Sequence, residues 1–177
     1  MKKLLFGMMC FVTLLATTCV AQETSDDLQL TFTNWGGVVR GARLGIVLTN
    51  RIVSVDSGFR IFIRMENVSS NVIFVGESSL GGNYAVALKD VSGKVYNLTR
   101  TPRIYSYNML LPINPGESRY WVKVVGIGEY YDQPGLQVTK TRVPSGDYTL
   151  EVTRTFLPTT NAKPVLIAAN VMSIEIK

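Results

Sequence analysis

Apolar and polar residues alternate with period two along most of the chain. Phe59, Ile61, Ile63 and Met65 alternate with Arg60, Phe62, Arg64 and Glu66. Tyr120, Val122 and Val124 alternate with Trp121, Lys123 and Val125. Tyr148, Leu150 and Val152 alternate with Thr149, Glu151 and Thr153, and Met172, Ile174 and Ile176 with Ser173, Glu175 and Lys177. Each pattern puts one face of a strand into a core and leaves the other largely to solvent. Strands are expected near 28–33, 43–48, 59–67, 71–75, 84–89, 94–98, 118–125, 146–154 and 170–177. Val91-Ser92-Gly93-Lys94 reads as a tight turn, and Asn114-Pro115-Gly116 and Pro144-Ser145-Gly146 punctuate the chain before two strands. No window beyond the first 21 residues carries a capped 3.6-residue period. Short strands separated by turn signals predict an all-β, antiparallel sandwich or barrel of about eight or nine strands.

The first 21 residues follow a different rule. Lys2 and Lys3 precede an apolar run of 13 residues, Leu4 to Ala16, and Cys19-Val20-Ala21 places small side chains before Gln22. Charge, apolar run and small-residue site in that order are the pattern of a secretory signal peptide, and the run is too short to span a membrane. The expected organisation is a signal peptide over 1–21, a polar N-terminus over 22–27 and one domain over 28–177. The destination is then the periplasm, the cell surface or the medium. An alternative keeps Cys19. Leu15-Ala16-Thr17-Thr18-Cys19 loosely follows a lipoprotein box, in which Cys19 is lipidated and anchors the chain to a membrane.

That leader holds both cysteines of the chain, Cys10 and Cys19, and there is no histidine. A mature chain cut after Ala21 has 156 of the 177 residues and neither thiol nor imidazole. A domain of this size buries roughly 70% of its unfolded surface and needs no disulfide. Without Lys2 and Lys3 the formal charge falls from +5 to +3, and no Lys/Arg run marks a nucleic-acid surface. Zinc, copper and iron sites lean on His and Cys. Calcium needs only oxygens, but neither Asp26-Asp27 nor Glu129 with Asp132 has the Asp-x-Asp-x-Asp-Gly spacing. No metal and no cofactor are expected.

Ser-His-Asp and Cys-His nucleophiles cannot be assembled, and neither Ser-x-x-Lys nor Gly-x-Ser-x-Gly occurs. Paired carboxylates drawn from Glu66, Glu77, Glu117, Glu129 and Glu151 are the remaining catalytic route. Asn67-Val68-Ser69 and Asn97-Leu98-Thr99 match the glycosylation sequon.

Several segments resemble bacterial exported immunoglobulin-like β-sandwich domains. Phe59 to Asn67 with Val68-Ser69-Ser70-Asn71 looks like a second strand and its turn. Pro115-Gly116-Glu117-Ser118 before Trp121 looks like the opening of a middle strand. Pro144-Ser145-Gly146-Asp147-Tyr148-Thr149-Leu150 looks like the opening of the penultimate strand, and Val171 to Lys177 like the closing one. Trp35-Gly36-Gly37-Val38-Val39-Arg40-Gly41 with Leu44 resembles an opening motif of such domains. The resemblance spans residues 35–177. It implies an immunoglobulin-like sandwich, brings no catalytic residues, and places Tyr148 in a tyrosine-corner role.

Binding is therefore the expected activity, through loops on a rigid scaffold. Trp35, Tyr105, Tyr107, Tyr130 and Tyr131 are the candidate ligand-binding residues, because flat amphipathic rings stack on sugars or anchor protein partners. The same rings also plug sandwich ends. A protein partner, met through edge strands or the 99–112 and 126–143 loops, leads the expectations. A glycan platform and a proteinase-inhibitor loop are the alternatives.

Overall fold

The computed structural model describes residues 32–77, 84–99, 109–128, 130–131, 138–139 and 142–177, with Tyr131, Val138 and Thr139 described in backbone only. Three antiparallel strands form the smaller sheet: β1 (Ala42–Leu48), β3 (Gly58–Asn67) and β8 (Ser118–Gly126), in the order β1-β3-β8. The larger sheet takes β2 (Ile52–Val53), β5 (Tyr84–Asp90), β6 (Val95–Asn97), β9 (Tyr130–Tyr131), β10 (Val138–Thr139), β11 (Gly146–Phe156), β12 (Val165–Ala168) and β13 (Met172–Ile176). Its order is β10-β9-β6-β5-β11-β13-β2, with β12 beside the C-terminal half of β11. A ribbon of β4 (Ile73–Glu77) and β7 (Met109–Ile113) joins β11 through paired backbone hydrogen bonds between Phe74 and Leu157. The chain is an antiparallel β-sandwich. The described residues contain no helix, and therefore none long and apolar enough to cross a membrane.

Alternation builds the core as expected. Phe59, Ile61, Ile63 and Met65 face inward with Leu44, Ile46 and Leu48, against Val86, Leu88, Leu150, Val152, Ile174 and Ile176 of the other sheet. Two details stand out in the larger sheet. β2 pairs parallel to the final strand β13, whereas the other pairings are antiparallel. The Tyr148 hydroxyl donates to the Pro144 carbonyl at 2.7 Å, closing the corner four residues upstream. The 91–94 turn is made by Asp90, whose Oδ1 accepts from the backbone N–H of Ser92 and of Lys94. Gly93 there adopts a φ of 89°, a conformation that favours glycine.

Apart from the short strands β2 and β12, which are not among the expected strands, expectation and structure part in four places. Residues 32 and 33 form no strand, and 28–31 lie outside the described residues, as do the whole leader, residues 22–27 and Cys19. The 99–112 segment is not only loop, because Met109 onward forms β7; its run Met-Leu-Leu-Pro-Ile does not alternate, and Pro112 suits a strand paired on one side. The 126–143 connection holds the two-residue strands β9 and β10. The fourth is β8, which turns its Tyr120, Val122 and Val124 face to solvent and Trp121, Lys123 and Val125 toward the other sheet.

Candidate functional site

Trp35 lies on the outer face of the smaller sheet, over Gly45. A Cβ at Gly45 would stand 3.1 Å from Trp35 Cε3, so the strand offers a flat seat there. The Arg43 guanidinium stacks 4.2 Å and that of Arg64 4.9 Å from the ring centroid. Glu66 holds both cations: Arg43 Nη2 lies 2.8 Å and Arg64 Nη2 3.6 Å from its Oε2. The half-buried indole is thus already packed against two cations. The next residue explains the path of the chain. A side chain on Gly36 would meet the Ala168 carbonyl at 2.2 Å, so only glycine lets this segment reach β12.

Trp121 is bound from the opposite side of the same sheet. It packs against Arg154, whose guanidinium carbon sits 3.8 Å from the Trp121 centroid and 4.2 Å from that of Tyr84. Glu77 Oε1 accepts from Trp121 Nε1 and from Arg154 Nη2, each at 2.8 Å. Arg154 is wholly buried, and burial pushes its guanidinium down to about 10 although the Glu77 carboxylate opposes the shift. Its Nε and Nη1, and the Tyr84 hydroxyl, have no hydrogen-bond partner among the described residues. One charged cluster thus ties β4, β5, β8 and β11 together. The inward phase of β11 includes position 154, but neither composition nor alternation reveals the partners of an inward arginine.

Of the loop tyrosines, Tyr105 and Tyr107 lie outside the described residues, as do Glu129, Asp132 and the Tyr131 side chain. Tyr130 is buried, with its centroid 5.0 Å from that of Tyr96, which in turn stands 5.6 Å from Tyr148 in an edge-on arrangement. Its ring is core packing and offers no platform to a ligand. Burial, reinforced by Tyr96 and Asp90, pushes the Tyr148 hydroxyl up to about 12. An acid protonated more tightly in the folded state contributes stability that is complete below pH 10 and lost between pH 10 and 12. Arg154 works in the opposite sense over the same interval. The stability gap between the wild type and Tyr148→Phe in urea unfolding should therefore shrink from pH 9 to pH 11.5. A constant gap would show that Tyr148 does not carry the effect.

The outer face of β8 differs from the other surfaces. Tyr120, Val122 and Val124 are 60%, 57% and 64% exposed, and in the cross-strand register Val122 lies beside Phe62, Tyr120 beside Arg64 and Val124 beside Arg60. The backbone alternation sets what the strand edge offers. Asn67 N–H donates to the Glu117 carbonyl, so the odd-numbered residues of β8 bond to β3. The N–H and C=O groups of Tyr120, Val122 and Val124 then point away from β3. Among the described residues β8 pairs with β3 alone. The opposite edge is covered: Gly36 N–H donates to the Leu44 carbonyl, and the Asn170 side chain accepts from Ile46 N–H at 2.7 Å and donates to its carbonyl.

The acids are engaged one by one. Glu66 and Glu77 serve the arginines above, and Glu117 Oε2 accepts from the backbone and side chain of Asn114, which holds its carboxyl below the usual range. A shallow open groove of about 420 Å³ lies on the larger sheet, where Asp147 and Glu175 stand opposite one another between Arg51 and Lys89. Among the described residues no three His, Cys, Asp or Glu side chains gather around one point. The first sequon is closed in the folded state, because Asn67 is fully buried and its Nδ2 donates to two carbonyls.

No family model matches the chain, and no curated protein matches it. Solved structures share the strand arrangement only distantly. The C-terminal domain of Wzt is 11% identical, with 81% of this chain and 77% of that one covered at a TM-score of 0.47. A Pseudomonas fluorescens alkylpurine DNA glycosylase bound to DNA containing an abasic site analog is 11% identical, over 80% of this chain and 32% of that one, at 0.43. A Listeria innocua β-glucosidase in complex with isofagomine is 11% identical, over 76% and 16%, at 0.42. This chain thus spans about a third of the glycosylase and a smaller part of the glucosidase.

Proposed function

We propose that this protein is a non-catalytic interaction module of the cell envelope that binds a protein strand along β8. One observation carries the reading: a nine-residue strand exposes Tyr120, Val122 and Val124 on the same residues whose backbone groups point away from β3. An extended polypeptide laid there gains main-chain hydrogen bonds and apolar side-chain contacts together. A long apolar edge is a hazard if it serves nothing, and this fold covers its other edge with care. The leader supports an exported location, and the lack of histidine and of cysteine beyond position 19 supports a role without catalysis.

A photo-crosslinking residue placed at Val122 in the producing cell tests this. Ultraviolet light should yield a covalent protein adduct from position 122 and none from Val91, which is 95% exposed on a turn of the larger sheet. Equal yields from Tyr120, Val122, Val124 and Val91 would overturn the reading.

A further inference from the structure

We infer that the strand received by β8 is β8 of a second copy of this chain, antiparallel and centred on Val122. The inference rests on the strand-addition reading above and names its partner. A two-fold axis through Val122 sets Tyr120 opposite the copy's Val124, and Val122 opposite its own equivalent. These are the residues whose N–H and C=O groups point outward, so each meets a complementary group across the axis. The result is a six-stranded sheet whose two central strands join their Tyr120, Val122 and Val124 faces into one apolar patch, with a Phe62 beside Val122 on either side.

Charge selects this register over its neighbours. Arg119 and Lys123 are the cations of the strand. An axis at Lys123 sets two ammonium groups face to face, and an axis at Trp121 sets Arg119 against Lys123. Like charges directly opposite are unfavourable. The axis at Val122 puts Lys123 beside the copy's Trp121 and Arg119 beside its Val125, so no cation faces another. A lysine on an edge strand usually discourages pairing. Here it discourages every register within one residue except the one proposed. Such an interface is isologous and closes at two copies.

The chain's own composition provides the test. With Cys10 and Cys19 replaced by Ser, a thiol introduced by Val122→Cys is the sole cysteine of the full-length product. Opposed Cα atoms in a hydrogen-bonded pair lie about 5.5 Å apart, within disulfide reach. A thiol from Val124→Cys sits four residues out of register, about 14 Å from its equivalent along the strand. Oxidation should therefore link Val122→Cys into dimers at least about tenfold faster than Val124→Cys. The unmodified protein should sediment as a dimer, and Val122→Glu, a change at an exposed position, should sediment as a monomer. Equal crosslinking at 122 and 124, or a monomer throughout, would overturn the inference. The in-cell adduct separates this failure from that of the parent reading. An adduct of twice the chain mass supports the copy; one of any other mass overturns the copy while leaving strand addition standing.

Discussion

Glu77→Gln should lower the unfolding free energy by about 3 kcal/mol, because it leaves the Arg154 guanidinium charged, buried and without its counter-ion. Gln keeps the shape and one acceptor for Trp121 Nε1, so packing hardly changes and charge is what the variant removes. Arg154→Met should cost less, about 1 kcal/mol or under, since a flexible apolar side chain still fills the slot between Trp121 and Tyr84. The Glu77 carboxylate then keeps the Trp121 N–H and is partly open to solvent, at 29% side-chain exposure. The double variant should recover most of the loss of Glu77→Gln. For a domain of this size 3 kcal/mol corresponds to about 10 °C in Tm. Urea unfolding followed by the fluorescence of Trp35 and Trp121 reads the series. A smaller loss for Glu77→Gln than for Arg154→Met would mean that solvent, not Glu77, supports the guanidinium.

This asymmetry also marks where sequence reading stops. Period-two alternation needs only local chemistry, and it located β1, β3, β5, β8, β11 and β13 to within a few residues. Strands too short to alternate, such as β2 and β9, left no pattern to read. Neither did β7, whose continuous apolar run is interrupted by proline. On β8 both phases of the alternation are apolar enough for a core. The phase that turned inward is the one whose Trp121 meets Glu77 and Arg154, which come from distant strands. The outward phase, and with it the candidate surface, followed from that choice. Among the candidate rings, burial of Tyr130 depends on Tyr96 from another strand, and occupation of Trp35 depends on arginines from β1 and β3. Pairing between strands far apart in the chain is not written in the spacing of either one.

Asn67 is the opposite case, a residue whose sequence context was noted and whose reason the structure supplies. Wholly buried at the end of β3, it uses every polar site of its amide. Nδ2 donates to the carbonyls of Asn71 at 2.7 Å and Ile113 at 2.8 Å, while Oδ1 accepts from Ser69 N–H at 2.9 Å and Ser69 Oγ at 2.7 Å. One side chain thus shapes the 68–71 turn and fastens it to β7. Asn67→Ala should cost about 3–4 kcal/mol, because it removes all four bonds and leaves the Ile113 carbonyl buried without that donor. Asn67→Asp separates shape from hydrogen-bond polarity. It keeps the acceptor for Ser69 but turns a carboxylate oxygen toward two carbonyl oxygens. At pH 7 it should destabilise at least as much as Asn67→Ala. As pH falls, the folded state binds the proton more tightly than the unfolded chain, because the protonated acid regains a donor. Relative to wild type, the variant should therefore regain stability in acid, whereas Asn67→Ala should not. Urea midpoints at pH 7 and pH 4 test the pair. A loss under about 1 kcal/mol for Asn67→Ala would show that solvent replaces the amide at the turn and that the buried bonds do not fasten β3 to β7.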